Sequence, residues 1–127
     1  MEQLKNKLPE LAQSAKQIGG AKVALENIGA VDSADQVREL ASALRDKLES
    51  DCAVAAIAGI SGDKIILIVA TTKKAREAGI SSGNLVKVAS AILGGGGGGK
   101  DDIAQGGGPE VSKLADAFAA IENSIKN

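Results

Sequence analysis

The residues best suited to chemistry lie in Gly94–Gly108, which reads Gly-Gly-Gly-Gly-Gly-Gly-Lys-Asp-Asp-Ile-Ala-Gln-Gly-Gly-Gly and holds nine of the 16 glycines in the chain. Successive glycines leave backbone amides bare, and a run of bare amides can cradle an anion. The run Gly94, Gly95, Gly96, Gly97, Gly98 and Gly99 ends on Lys100, which adds a fixed positive charge. Gly94 to Lys100 also matches the first seven positions of the Walker A phosphate loop, but the eighth is Asp101, so the hydroxyl needed for magnesium is missing. That loop also leads from a strand into a helix, whereas here a helical pattern precedes the glycines. A nucleotide-binding loop is therefore excluded. A flexible linker fits poorly as well, because Ile103 and Gln105 interrupt the glycines and a short amphipathic segment that needs a core follows. The expectation is a close-approach surface for a phosphate-bearing ligand, formed by Gly94–Lys100 and fastened by Ile103–Gly108.

Other cations extend this reading. Lys73, Lys74 and Arg76 follow an apolar run, Ile65–Ala70, that reads as a central strand buried on both faces. Ligand-facing loops of α/β sheets gather at such strand ends, although a short solvated helix explains the same residues. Lys87 lies on the polar side of the helix that precedes the glycines. Charge is uneven along the chain: residues 64–113 carry seven Lys/Arg against four Asp/Glu, within an overall net charge of −1.

Composition closes several routes. There is no histidine and only one cysteine, Cys52, in an apolar run. The commonest general base and metal ligand are thus absent, no intramolecular disulfide is available, and neither catalytic residues nor a metal or cofactor site is expected. Phe118 is the only aromatic, so nucleobases have no stacking platform and Phe118 itself is expected in the core. No signal-like start and no bilayer-length apolar run is present, which predicts a soluble cytoplasmic protein.

The elements that must position these residues follow from periodicity. Leu4, Leu8, Leu11, Ala15 and Ile18 form a heptad-like seam, predicting a helix over 2–17 that ends at Gly19-Gly20 and offers a dimerisation surface. Ala21–Ile28 reads as a strand. Ser33 and Gln36 form a capping box for a helix with the stripe Val37, Leu40, Ala41, Leu44 and Leu48. Cys52–Ile60 and Lys64–Thr71 read as a hairpin about Ser61-Gly62-Asp63. A helix capped by Ser81/Ser82, with the apolar face Leu85, Val88, Ala89, Ile92 and Leu93, runs to Gly94 as its C′ residue. Val111, Leu114, Phe118, Ile121 and Ile125 mark a last helix. The fold class is α/β (α+β): a small mixed sheet in the order strand-helix-strand-strand-helix-helix, its first crossover parallel and right-handed. A coiled-coil-like helix over residues 1–18 precedes the globular domain over 19–127.

The glycine motif at 94–108, with its Ala104-Gln105-Gly106-Gly107 ending and this order of elements, resembles the C-terminal C-Ala domain of alanyl-tRNA synthetase. That domain is in turn related to the DHH-associated domain of RecJ-like nucleases and phosphodiesterases. The resemblance covers about residues 19–127. It implies a fragment of alanine–tRNA ligase that binds the tRNA elbow and couples aminoacylation with editing, with dimerisation through the helical part in some members. None of the family's catalytic elements is present. Asp101-Asp102 after Lys100 makes this loop less basic than a strong RNA binder requires. The alternatives are a nucleic-acid-grasping domain of a RecJ-like nuclease or phosphodiesterase, and a dimerisation module. On the tRNA reading the contacts are Gly94–Gly99, Lys100, Gln105, Lys73, Lys74, Arg76 and Lys87.

Overall fold

The computed structural model describes residues 13, 15–18, 20–31, 33–48, 51–100 and 102–126. Six strands form one mixed sheet: β1 (Lys16–Ile18), β2 (Ala21–Ala30), β3 (Ala53–Ser61), β4 (Lys64–Thr71), β5 (Gly98–Gly99) and β6 (Ile103–Gly108), in the spatial order β1-β2-β3-β4-β6-β5. Only β2 and β3 run parallel; every other pair is antiparallel. The helices whose bounds fall among the described residues are α1 (Ala34–Lys47), α2 (Lys73–Glu77), α3 (Ser82–Ile92) and α4 (Leu114–Lys126), with a 3-10 turn at Val111–Lys113.

Alternation along the strands divides the core in two. On one face, Ala24, Ala55, Ile57, Ile68 and Ala70 pack under the α1 stripe of Val37, Leu40, Ala41, Leu44 and Leu48. On the other, Val23, Val54, Ala56, Leu67 and Val69 pack under Leu85, Val86, Ala89 and Leu93 of the α3 segment and Leu114, Ala117 and Ile121 of α4. Phe118 is half-buried against this second cluster, as expected of a core residue. The mixed fold, the parallel crossover from β2 through α1 to β3, and the β3–β4 hairpin all match the sequence reading.

The structure corrects that reading at four points. The helix expected over 2–17 lies mostly outside the described residues; Gln13 is helical, but Lys16–Ile18 is strand β1, with Ile18 paired to Ala21 across a hairpin whose Gly20 has φ +88°. Gly20, expected to stop a helix, thus serves a hairpin turn, where its positive φ suits glycine. Next, the glycine stretch contributes two strands instead of a loop: β6 pairs with β4 from Ile65↔Gly108 to Ala70↔Ile103, and β5 closes the edge. In addition, Ser33 and Ser81 occupy N-cap positions without a side-chain cap bond, whereas Thr72 does cap α2, accepting from the Ala75 amide. Finally, α3 turns Val86 inward and leaves Val88 40% exposed.

Candidate nucleic-acid interface

The glycine run begins where α3 ends. Gly94 (φ +81°) is its C′ residue, and the Gly95 amide donates back to the Ser90 carbonyl at 3.0 Å. From there the chain passes along α3 and β6 at backbone contact distance. A methyl group on Gly97 would stand 2.7 Å from Val86 Cγ1 and closer still to Gly106 Cα; one on Gly99 would stand 2.9 Å from Ala104 Cα. One on Gly95 would collide with the Gly107 carbonyl, and one on Gly94 would stand 2.9 Å from Glu110 Cγ. Across the contact, side chains on Gly106, Gly107 and Gly108 would strike Ser90 and Val86, the Ile65 carbonyl and the Leu93 carbonyl respectively. Packing inside the domain therefore accounts for seven of the nine glycines.

Gly96 and Gly98 are different. A methyl on Gly96 would meet nothing within 4 Å, and one on Gly98 only Lys87 Cε at 3.9 Å. Neither lies in the left-handed region that favours glycine. They form an open, side-chain-free shelf at the sheet edge, Gly98 within β5 and Gly96 just before it. Lys87 stands beside this shelf on α3, exposed. Lys100, also exposed, caps the β5–β6 connection through its amide, which donates to the Ile103 carbonyl at 3.2 Å.

The α2 cations sit at the adjoining end of the sheet. The Thr71 amide donates to the Asp102 carbonyl at 2.9 Å, and Gly83 at the start of α3 lies against the Gly99 carbonyl, so the chain leading into α2, the first turn of α3, Gly99 and Asp102 meet there. A basin of about 330 Å³ opens at this end, lined by Arg45, Asp46, Thr71, Thr72, Lys73, Arg76 and Asp102. Arg76 is half-buried and donates through Nη1 to the Thr71 carbonyl at 2.8 Å, so its fork is held in place. Lys73 and Lys74 are exposed, but only Lys73 lines the basin.

Gln105 departs furthest from the expected grouping. It pairs with both Ile68 and Gly98 across the ladder, and its Oε1 accepts from Arg38 Nη2 of α1 at 3.3 Å. It therefore belongs to the α1 face, opposite α3 and Val86. Arg38 and Arg45 lie off the apolar stripe of α1 by which that helix is recognised in the sequence. Their approach to β6 and to α2 spans 67 and about 30 positions of sequence respectively, which no local pattern reveals. Among the described residues no group of three or more His, Cys, Asp or Glu side chains could hold a metal ion, and no helix is long and apolar enough to cross a membrane.

A mixed sheet closed by a glycine-built edge strand, with helices on both faces, is the fold of a known domain class. Residues 20–127 match the DHHA1 domain, and the chain belongs to that family. Within the class it is similar to alanine–tRNA ligases: 44% identical over 124 residues to that of Paenarthrobacter aurescens and 46% over 116 residues to that of Renibacterium salmoninarum. These matches cover 98% and 91% of this chain but only 14% and 13% of the ligases, so the chain spans about one-seventh of the relatives it matches. The fold is that of the crystal structure of the C-Ala domain from Aquifex aeolicus alanyl-tRNA synthetase, with a TM-score of 0.82 at 25% identity over 90% of this chain and 99% of that one. RecJ from Thermus thermophilus shares the fold more distantly, with a TM-score of 0.60 at 17% identity over 98% of this chain and 18% of RecJ.

Proposed function

We propose that this chain is a non-catalytic tRNA-binding module of an alanine–tRNA ligase, which holds the elbow of the tRNA and so helps one tRNA reach both the aminoacylation and the editing sites. The observation that carries the reading is the division of the glycines. Seven are required by internal packing, and the two that are not, Gly96 and Gly98, form the open shelf beside Lys87 and Lys100. Bare backbone lets a phosphodiester chain approach closely, and flanking lysines supply the charge that dominates such contacts. With Lys73 and Arg76 at the end of the sheet, recognition is of backbone shape rather than of base edges, as suits structured RNA. The similarity to alanine–tRNA ligases supports tRNA as the RNA.

The test is a tRNA gel-shift series. Gly98→Leu and Lys87→Ala/Lys100→Ala should each weaken binding by about tenfold or more, the loss of one or two charge-assisted contacts, with unchanged melting curves. Wild-type protein that shows no tRNA binding at low salt sinks the reading. The fold shared with RecJ supports a second reading, a nucleic-acid-grasping domain of a nuclease. Competition separates the two, since single-stranded DNA should displace tRNA only under the second. Dimerisation through the segment that precedes β1 is a further proposal, without Ile18, which is buried in the domain's own core, and it fails if sedimentation finds the 127-residue chain monomeric.

A further inference from the structure

The glycine shelf has a second side. On the α3 face β5 and β6 are covered by that helix, but on the opposite face α1 packs over β3 and β4. The rim formed by β6 and β5 is left open there, with Ile103 and Gln105 half-buried on its floor. Two arginines of α1 border it. Arg38 is exposed and held toward the rim by Gln105, and Arg45 lines the basin at the end of the sheet with Thr72, Lys73 and Arg76. Seven residues are two helical turns, so Arg38 and Arg45 fall on one side of α1, about 10.5 Å apart along its axis. The positions they approach, Gln105 in β6 and Asp102 just before that strand, are three residues apart, about 10 Å for extended chain. Helix and strand thus run side by side, with a guanidinium at each end of the interval.

We propose that this rim is a second backbone-binding track, in which Arg38 and Arg45 of α1 contact the phosphates of the same RNA whose backbone lies on the glycine shelf. The inference rests on the RNA-binding reading above and extends the contact surface from Gly98, whose ladder partner is Gln105, along the α1 face of the sheet. Guanidinium forks suit phosphate oxygens because two N–H groups can be offered at once. Gln105 is the positioning residue: its amide oxygen holds Arg38 over the strand. The acidic groups at this end set a limit. Asp46 Oδ1 holds Arg45 Nε at 3.2 Å, and Asp102, whose Oδ1 accepts from the Ile103 amide, also lines the basin. A phosphate at Arg45 must compete with Asp46, so the aspartate acts as a brake on binding.

The experiment is salt-dependent binding of a transcribed alanine-accepting tRNA to the full 127-residue chain. Arg38→Ala and Arg45→Ala should each weaken binding and reduce the log–log salt slope by about 0.7–0.9, the value of one phosphate contact. Asp46→Asn should tighten binding by about two- to fivefold at low salt, the scale of one exposed ion pair released. Arg38→Lys should keep the slope and lose part of the affinity, which separates loss of charge from loss of structure. If the wild-type chain binds tRNA while both alanine variants match it in affinity and slope, the track is overturned and the shelf stands. If the wild-type chain binds no RNA, both readings fall.

Discussion

At the residue scale, the glycine run makes a sharp distinction among chemically identical positions. Gly97→Ala forces a methyl group into Val86 and the Gly106 backbone, and Gly107→Ala combines a collision with the Ile65 carbonyl and a φ of +149°. Gly97→Ala should lower unfolding free energy by about 1–3 kcal/mol through overpacking alone, and Gly107→Ala by about 3 kcal/mol or more because backbone strain is added. Gly96→Ala meets open space without positive φ and should lie within about 1 kcal/mol of wild type, on the stabilising side if lost chain entropy dominates. Urea melts of the three variants decide this, and equal losses at positions 96 and 97 would contradict the shelf. Glu26 on β2 offers a second residue-scale test. Burial pushes its carboxyl above the ordinary 4.5, so the folded state retains a proton that the unfolded state releases. Stability on this account is greatest below pH 4.5 and falls as pH rises through the raised value, beyond which the cost of burying the charge is constant. Glu26→Gln should therefore melt higher than wild type at pH 7, the gap closing as pH falls toward 4; a gap independent of pH would refute the burial account.

At the element scale, α3 and β6 define each other. The Gly107 amide donates to Ser90 Oγ at 3.1 Å in a buried site, and Gly106 has no room for a side chain because Ser90 and Val86 occupy it. Ser90→Ala leaves that amide without its acceptor and should cost about 1–3 kcal/mol, with faster exchange of the Gly107 amide than of the β3 amides; uniform exchange across the sheet would show that the bond does not anchor β6. The same pairing explains what the sequence could and could not reveal. The α1 stripe, the β3–β4 hairpin and the α4 stripe were legible because each buries its side chains on a periodic partner, and periodicity records that burial. Strand β6 was not, because Gly106–Gly108 has no β-propensity of its own and is held by its neighbours' backbone. The inward turn of Val86 in place of Val88 has the same origin. Its partners are glycines 97 and 106, whose missing side chains leave no pattern to read. Lys16–Ile18 was misjudged for a related reason: three residues are too few to interrupt a heptad-like spacing.

At the scale of the whole molecule, overall charge is a poor guide to what the domain can hold. The chain is net −1, yet six of its cations lie along one rim and one end of the sheet: Lys87 and Lys100 beside the shelf, Lys73 and Arg76 at the basin, Arg38 and Arg45 along α1. The aspartates at 46 and 102 are interleaved with them, which keeps the local field modest and makes affinity depend on how many phosphates the surface spans rather than on a single strong contact. Four contacts from the shelf and basin, or six with the α1 track, correspond to log–log salt slopes of about −3 and −5 respectively. Between 50 and 200 mM salt that is a loss of about 60-fold for the smaller footprint and about 1,000-fold for the larger. Titrating tRNA across that range with the wild-type chain therefore counts the contacts without any substitution. A slope near −3 confines the RNA to the shelf and basin, a slope near −5 carries it around the rim to α1, and an affinity indifferent to salt removes phosphate recognition as the basis of the surface altogether.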